Sequence, residues 1–123
     1  MKVIIEGIGK VPAKKNNMRV ARNIIYKPKM LKEFEAKLKL EALRAMKSQG
    51  QEMTDQPVRI SEMIITFGDR RRRDLQNCYG SICDALNNAV YTDDYLIYEH
   101  QNIEKRFEKG VWKYRIIIET INS

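Results

Sequence analysis

The apolar residues of this chain change period several times, and each change marks an element. Val3 to Ile8 is a short β-branched run that predicts a first strand. From Gly9 to Pro28 no period is sustained, and Pro12 and the pair Asn16-Asn17 interrupt the segment, which reads as a long loop. Leu31, Phe34, Leu38, Ala42 and Ala45 then recur at helical spacing, predicting a helix from Pro28 to near Gly50. Val58 to Phe67 is β-rich, with Met63, Ile65 and Phe67 on one face and Val58, Ile60 and Ile64 on the other. That double-sided pattern suits an interior strand packed against helices. A second helix is expected from about Asp74 to Asn88. Its core stripe is Cys78, Ile82, Ala85, Leu86 and Ala89, and its polar face is Asn77, Ser81, Asp84 and Asn88. Leu96 to Phe107 and Val111 to Ile121, joined by Glu108-Lys109-Gly110, read as a closing hairpin. The order β-α-β-α-β-β predicts an α+β fold: one domain over residues 1–123, with a mixed β-sheet and two main helices.

Composition narrows the class. The chain has 123 residues, of which 43% are hydrophobic, enough for one domain with a genuine core and against general disorder. No apolar run approaches the ~20 residues that span a bilayer, so no membrane partner is expected. The N-terminus reaches Glu6 too soon for a signal peptide. Cys78 and Cys83 stand five residues apart in the second helix, with Cα atoms ~8 Å apart and out of disulfide reach. Together with a single histidine, His100, they make a structural zinc site improbable. A reducing, cytoplasmic setting is the expectation.

Charge changes the picture more. The net charge is +7, and between Gly7 and Lys32 there are eight Lys or Arg residues and no acid. A second run, Arg70-Arg71-Arg72-Arg73, abuts acids and a helix start. Patches of this kind concentrate polyanions and release their counterions on contact, which points to nucleic acid over a merely solvated surface.

The segment Asp69 to Asn77, followed by Asp84-Ala85-Leu86-Asn87 and Thr92-Asp93-Asp94, holds the candidate chemistry. Phosphodiester hydrolysis near neutral pH needs a hard cation on carboxylates, an activated water and positive charge gripping the phosphate. Asp74 at a helix start and Asp93-Asp94 at a strand start can meet if helix and strand pack as neighbours. Each residue also has a structural explanation: Asp74 as an N-cap, Asn77 as its support, Asp93-Asp94 as turn residues, Asp84 on a polar helix surface. Tyr91, Tyr95 and Tyr98 fit sheet or core positions better than base stacking.

In combination these strings resemble the RusA-type Holliday-junction resolvases. The resemblance rests on Asp-Arg-Arg-Arg-Arg-Asp-Leu-x-Asn, then Asp-Ala-Leu, then Asp-Asp, and extends to the loop Val11-Pro12-Ala13-Lys14-Lys15-Asn16-Asn17. It implies a homodimeric, Mg2+-dependent (with Mn2+ as a substitute) endonuclease that cuts four-way DNA junctions in recombination and repair, often phage- or prophage-encoded. By this likeness Asp74 and Asp94 match the main family acids, Asp93 the less critical neighbour, Asn77 the motif asparagine and Asp84 the helix aspartate. Asp74, Asp93 and Asp94 become the catalytic candidates, and Asp74, Asp94 and Gln76 the metal-ligand candidates. The DNA contacts fall to Arg70, Arg71, Arg72, Arg73, Lys14, Lys15, Asn16, Asn17, Arg19 and Asn77. Two positions depart from the family: Gln76 stands where a second aspartate is usual, and Gly80 where a helix lysine is usual. Both leave open a protein that binds branched DNA and cleaves it poorly.

Overall fold

A computed structural model describes residues 1–13, 19–21, 24–26 and 29–121; side chains are described for 1–13 and 29–121. Strand β1 covers Lys2–Ile8, β2 Arg19–Ala21, β3 Ile24–Tyr26, β4 Val58–Phe67, β5 Ile97–His100, β6 Ile103–Phe107 and β7 Lys113–Thr120. Helix α1 covers Lys29–Ser48 and α2 Leu75–Ala85, and a 3-10 turn occupies Asp94–Leu96. The fold is α+β: one mixed sheet in the order β1-β7-β4, with β5 and β6 along the far edge of β4.

Helix α1 places Leu31, Phe34, Leu38, Ala42 and Met46 against the sheet. It stops at a Schellman cap: the Gly50 N–H donates to the Lys47 carbonyl, the Gln51 N–H to that of Met46, and Gly50 has φ 67°. Val3 and Ile5 of β1, Ile60, Met63 and Ile65 of β4 and Ile116 and Ile118 of β7 form one cluster with Phe34, Leu38 and Ala42 of α1 and Cys78 and Ile82 of α2. Both helices therefore cover the same sheet face.

Three expectations are revised. The β4 register against β7 shifts between Ile60 and Glu62, so Ser61 is an extra residue in a bulge. An inserted residue reverses strand phase, which puts Val58 and Ile60 on the same buried face as Met63, Ile65 and Phe67. The opposite face carries ion pairs instead, Arg59 with Glu99 and Glu119, and Arg115 with Glu62. Second, the last strands do not form a hairpin. The expected single strand breaks into β5 and β6, both parallel to β4, and β7 pairs with the other side of β4. The 108–112 connection passes the end of β4, where Glu108 N–H donates to Phe67 O and Gly110 N–H to Gly68 O. Spanning two strand spacings takes ~10 Å, within reach of a few residues, so a Gly-containing connection fits either arrangement. Third, the 9–28 segment is not all loop: β2 and β3 pair antiparallel, Val20 opposite Ile25.

Candidate active site and nucleic-acid interface

Helix α2 begins where β4 has run out. Asp74 is its N-cap, in extended geometry, and its carboxylate accepts the Gln76 N–H at 2.9 Å. The Asp74 carbonyl accepts from the Asn77 and Cys78 N–H groups. Asp74 and Gln76 are exposed and Asn77 is half-buried. Ser81, expected on the polar face, is fully buried, and its hydroxyl donates to Pro12 O at 2.5 Å. Cys78 Sγ lies 3.8 Å from Val11 O. The chain after β1 thus lies over α2, and its carbonyls satisfy the one buried hydroxyl of the helix.

The helix ends at Ala85, earlier than expected. Leu86, Ala89 and Val90 stay buried as the chain turns through Asn88, whose φ is 63°. Tyr91 is fully buried and donates to Cys83 O at 2.7 Å, which anchors the turn that follows. Thr54 holds it from outside, donating to Val90 O and accepting from Thr92 N–H through its backbone. Asp93 and Asp94 are therefore presented on a braced turn.

The structure brings Asp94 together with Asp93 and Asp84. Partial burial raises the Asp94 carboxyl above the ordinary range, and the Asp93 and Asp84 carboxyls raise it further through hydrogen bonding and like charge. Asp84, read from sequence as a plain polar-face residue, is thus part of an acidic group; its place in the Asp-Ala-Leu string was the available signal. Asp74 stands at the other end of α2, ~15 Å along the axis from Asp84 at 1.5 Å per residue. Among the described residues no group of three or more Asp, Glu, His or Cys is arranged to hold a metal ion. Tyr91 is a core aromatic and Tyr98 a sheet residue of β5, as expected, whereas Tyr95 stands on the 3-10 turn, outside both; Tyr95 and Tyr98 are 70% and 66% exposed.

The arginine run divides in two. Arg73 pairs with Asp69, Nη2 donating to Oδ2 at 3.2 Å, and its guanidinium lies 5.0 Å from the ring centres of Phe67 and Trp112. The Arg73 hydrogen bond, with help from the Arg71 N–H, holds the Asp69 carboxyl at about 2. Arg70, Arg71 and Arg72 are exposed, and Arg70 lies over Phe107. A cleft of about 580 Å³ opens beside the run, between residues 9–13, the start of α1 and Trp112. Lys10, Lys37 and Trp112, which sequence reasoning passed over, line it. Lys14, Lys15, Asn16 and Asn17 lie outside the described residues, and Arg19 is described only through its backbone pairing with Tyr26.

Cys78 and Cys83 are free and buried. Among the described residues no helix is long and apolar enough to cross a membrane. The family model described as Endodeoxyribonuclease RusA matches residues 9–119. No curated protein matches the chain.

Proposed function

The chain belongs to the RusA endodeoxyribonuclease family, and from that membership we propose that it is a metal-dependent endonuclease of four-way DNA junctions acting in recombination and repair. The observation that carries the reading is local: exposed arginines lead directly into Asp74 at a helix start, and a second acidic group stands on a braced turn beyond the far end of that helix. Positive charge for the phosphate backbone and carboxylates for the reaction then belong to one short stretch of chain.

The donor set suits a hard cation. Asp94 at one end of α2 and Asp74 and the Gln76 carbonyl at the other offer oxygen, and Mg2+ is bound through as few as one or two carboxylates with water and substrate phosphate completing its shell. Burial first, and then the neighbouring Asp93 and Asp84 carboxyls, lift the Asp94 carboxyl, and a cation beside these acids would offset their like charge. Mg2+, or Mn2+ in its place, supplies Lewis acidity and a more acidic water when bound. The residues do the rest. Asp94 would hold the cation, with Asp93 and Asp84 adding negative charge beside it; Asp74 and Gln76, at the other end of α2, would add their oxygens where the DNA backbone enters, and Arg70, Arg71 and Arg72 would position the phosphodiester. Asn77, with Lys14, Lys15, Asn16, Asn17 and Arg19, extends the grip along the strand, while Arg73 is already held by Asp69. A homodimer matches a two-fold junction and sets two sites on opposing strands. Two free thiols agree with a reducing, cytoplasmic setting.

Junction cleavage with Mg2+ tests this. Wild-type protein is expected to nick a four-way junction, and Asp74→Asn and Asp94→Asn to lose ~100-fold or more of that rate, the scale of removing a key electrostatic group. Equal cutting by both variants removes the assignment. Gln76 favours a second reading, a junction binder with weak cleavage, because its amide brings no charge to the site. Under that reading Gln76→Asp raises cleavage; a wild-type rate that Gln76→Asp fails to improve rules it out.

A further inference from the structure

We propose that the cleft beside the arginine run is a nucleotide pocket, in which one unpaired nucleotide of a DNA strand sits with its phosphate on Lys10, Lys37 and Arg72 and its base against the apolar wall. This deepens the endonuclease reading and rests on it, but it assigns a second binding element outside the acidic residues.

Charge is the first argument. Lys10, Lys37, Arg71, Arg72 and Arg73 line the cleft, against a single acid, Glu33. Two of these cations are already placed. Lys10 Nζ lies 4.7 Å from the Trp112 ring centre, and the Lys37 ammonium donates to the Ile8 carbonyl. Gly9, with φ 137°, turns the chain at this point, and a side chain there would meet Lys37 Nζ at 3.1 Å. Arg73 is neutralised by Asp69 and acts as wall more than as ligand.

Shape is the second. A volume of about 580 Å³ lies within the ~300–1,000 Å³ of small-molecule sites. Val11 and Phe34 supply apolar surface behind the cations, beside the half-buried Trp112. A duplex backbone needs only charge on a convex surface. A recess with apolar walls behind its cations is reached by a nucleotide that has left the stack, where a flat base gains contact that a paired base cannot make. The position agrees, since Arg71 to Arg73 join this cleft directly to Asp74.

Trp112 is the only tryptophan of the chain among six tyrosines, so emission excited at the red edge of the band, where tyrosine does not absorb, reports on the surroundings of this one ring. In EDTA, wild-type protein is titrated with a short oligothymidylate, an abasic oligonucleotide of equal length, and thymidine monophosphate. Labelled oligonucleotides give binding by anisotropy in parallel. The oligothymidylate is expected to shift or quench Trp112 emission and the abasic strand to bind without doing so. Lys10→Ala with Lys37→Ala, checked for folding by circular dichroism, is expected to weaken oligothymidylate binding about tenfold, the scale of lost charged hydrogen bonds. Equal emission changes from both strands make the cleft a bare phosphate groove and overturn the proposal. So do oligothymidylate binding without an emission change, failure to bind, or a response to the mononucleotide alone. Anisotropy with a labelled four-way junction separates the two readings: junction binding with a silent Trp112 sinks the pocket and leaves the endonuclease reading standing.

Discussion

One carboxylate at residue 74 faces two demands, and they can be separated by substitution. Asp74 accepts the Gln76 N–H as a helix cap, and asparagine caps as well as aspartate does. Asp74→Asn is therefore expected to melt within a degree or two of wild type while losing cation-dependent activity, whereas Asp74→Ala costs about 1 kcal/mol of stability. Asp94 behaves in the opposite way. Its carboxyl is raised in the folded protein, first by burial and then by Asp93 and Asp84, so the native state favours the protonated form. That contribution is fully present below the unfolded carboxylate value and is lost as pH rises through the higher folded value. Asp94→Asn should raise the melting temperature at pH 7, with the advantage vanishing near pH 4, and Mg2+ should stabilise wild type more than the variant. Thermal melts across pH check both points. A variant less stable than wild type at pH 7 contradicts the crowding of these acids. Asp69, held at about 2 chiefly by Arg73, has the reverse sign: its stabilisation holds above the ordinary carboxylate range and disappears as pH falls through about 2.

At the scale of elements, joints decide the site. The Ser61 bulge sets which side chains of β4 are buried, and the end of β4 decides where the 108–112 connection passes. Gly68 marks that crossing, since a Cβ there would lie 2.4 Å from Trp112 Nε1 and 2.7 Å from Cε2. Neither the indole nor the strand end can move freely, because Trp112 also packs edge-on to Phe67 at 6.3 Å. Gly68→Ala is expected to destabilise by about 1–3 kcal/mol, the usual cost of overpacking, and to shift Trp112 emission in the folded state. An unaltered melt and spectrum would mean that the crossing is looser than described. The anchoring of residues 11 and 12 on α2 through Cys78 and Ser81 works in the same way, fixing one wall of the basic cleft.

For the whole molecule, charge sets the regime of binding. A net charge of +7 with basic residues gathered around one cleft and one helix start predicts DNA affinity that falls steeply with salt. Arg71→Ala and Arg72→Ala should each lower the slope of log affinity against log salt by about 1 if each meets one phosphate, as read by anisotropy over a salt series; unchanged slopes would place the strand elsewhere. The sequence by itself determined the class of fold, the two helices, the interior position of β4, the basic run and the acids beside it. These follow from local periodicity, capping and charge, all properties of neighbouring residues. Tertiary structure alone decided that Val58 and Ile60 join the face of Met63, that β6 and β7 flank β4 without pairing, that Ser81 is buried, and that Asp84 stands with Asp94. Each of these depends on contacts between distant segments or on a one-residue insertion whose phase no local pattern records. The cleft of Lys10, Lys37 and Trp112 belongs with them: three residues far apart in the chain meet only because β1, α1 and the approach to β7 close around the same end of the sheet.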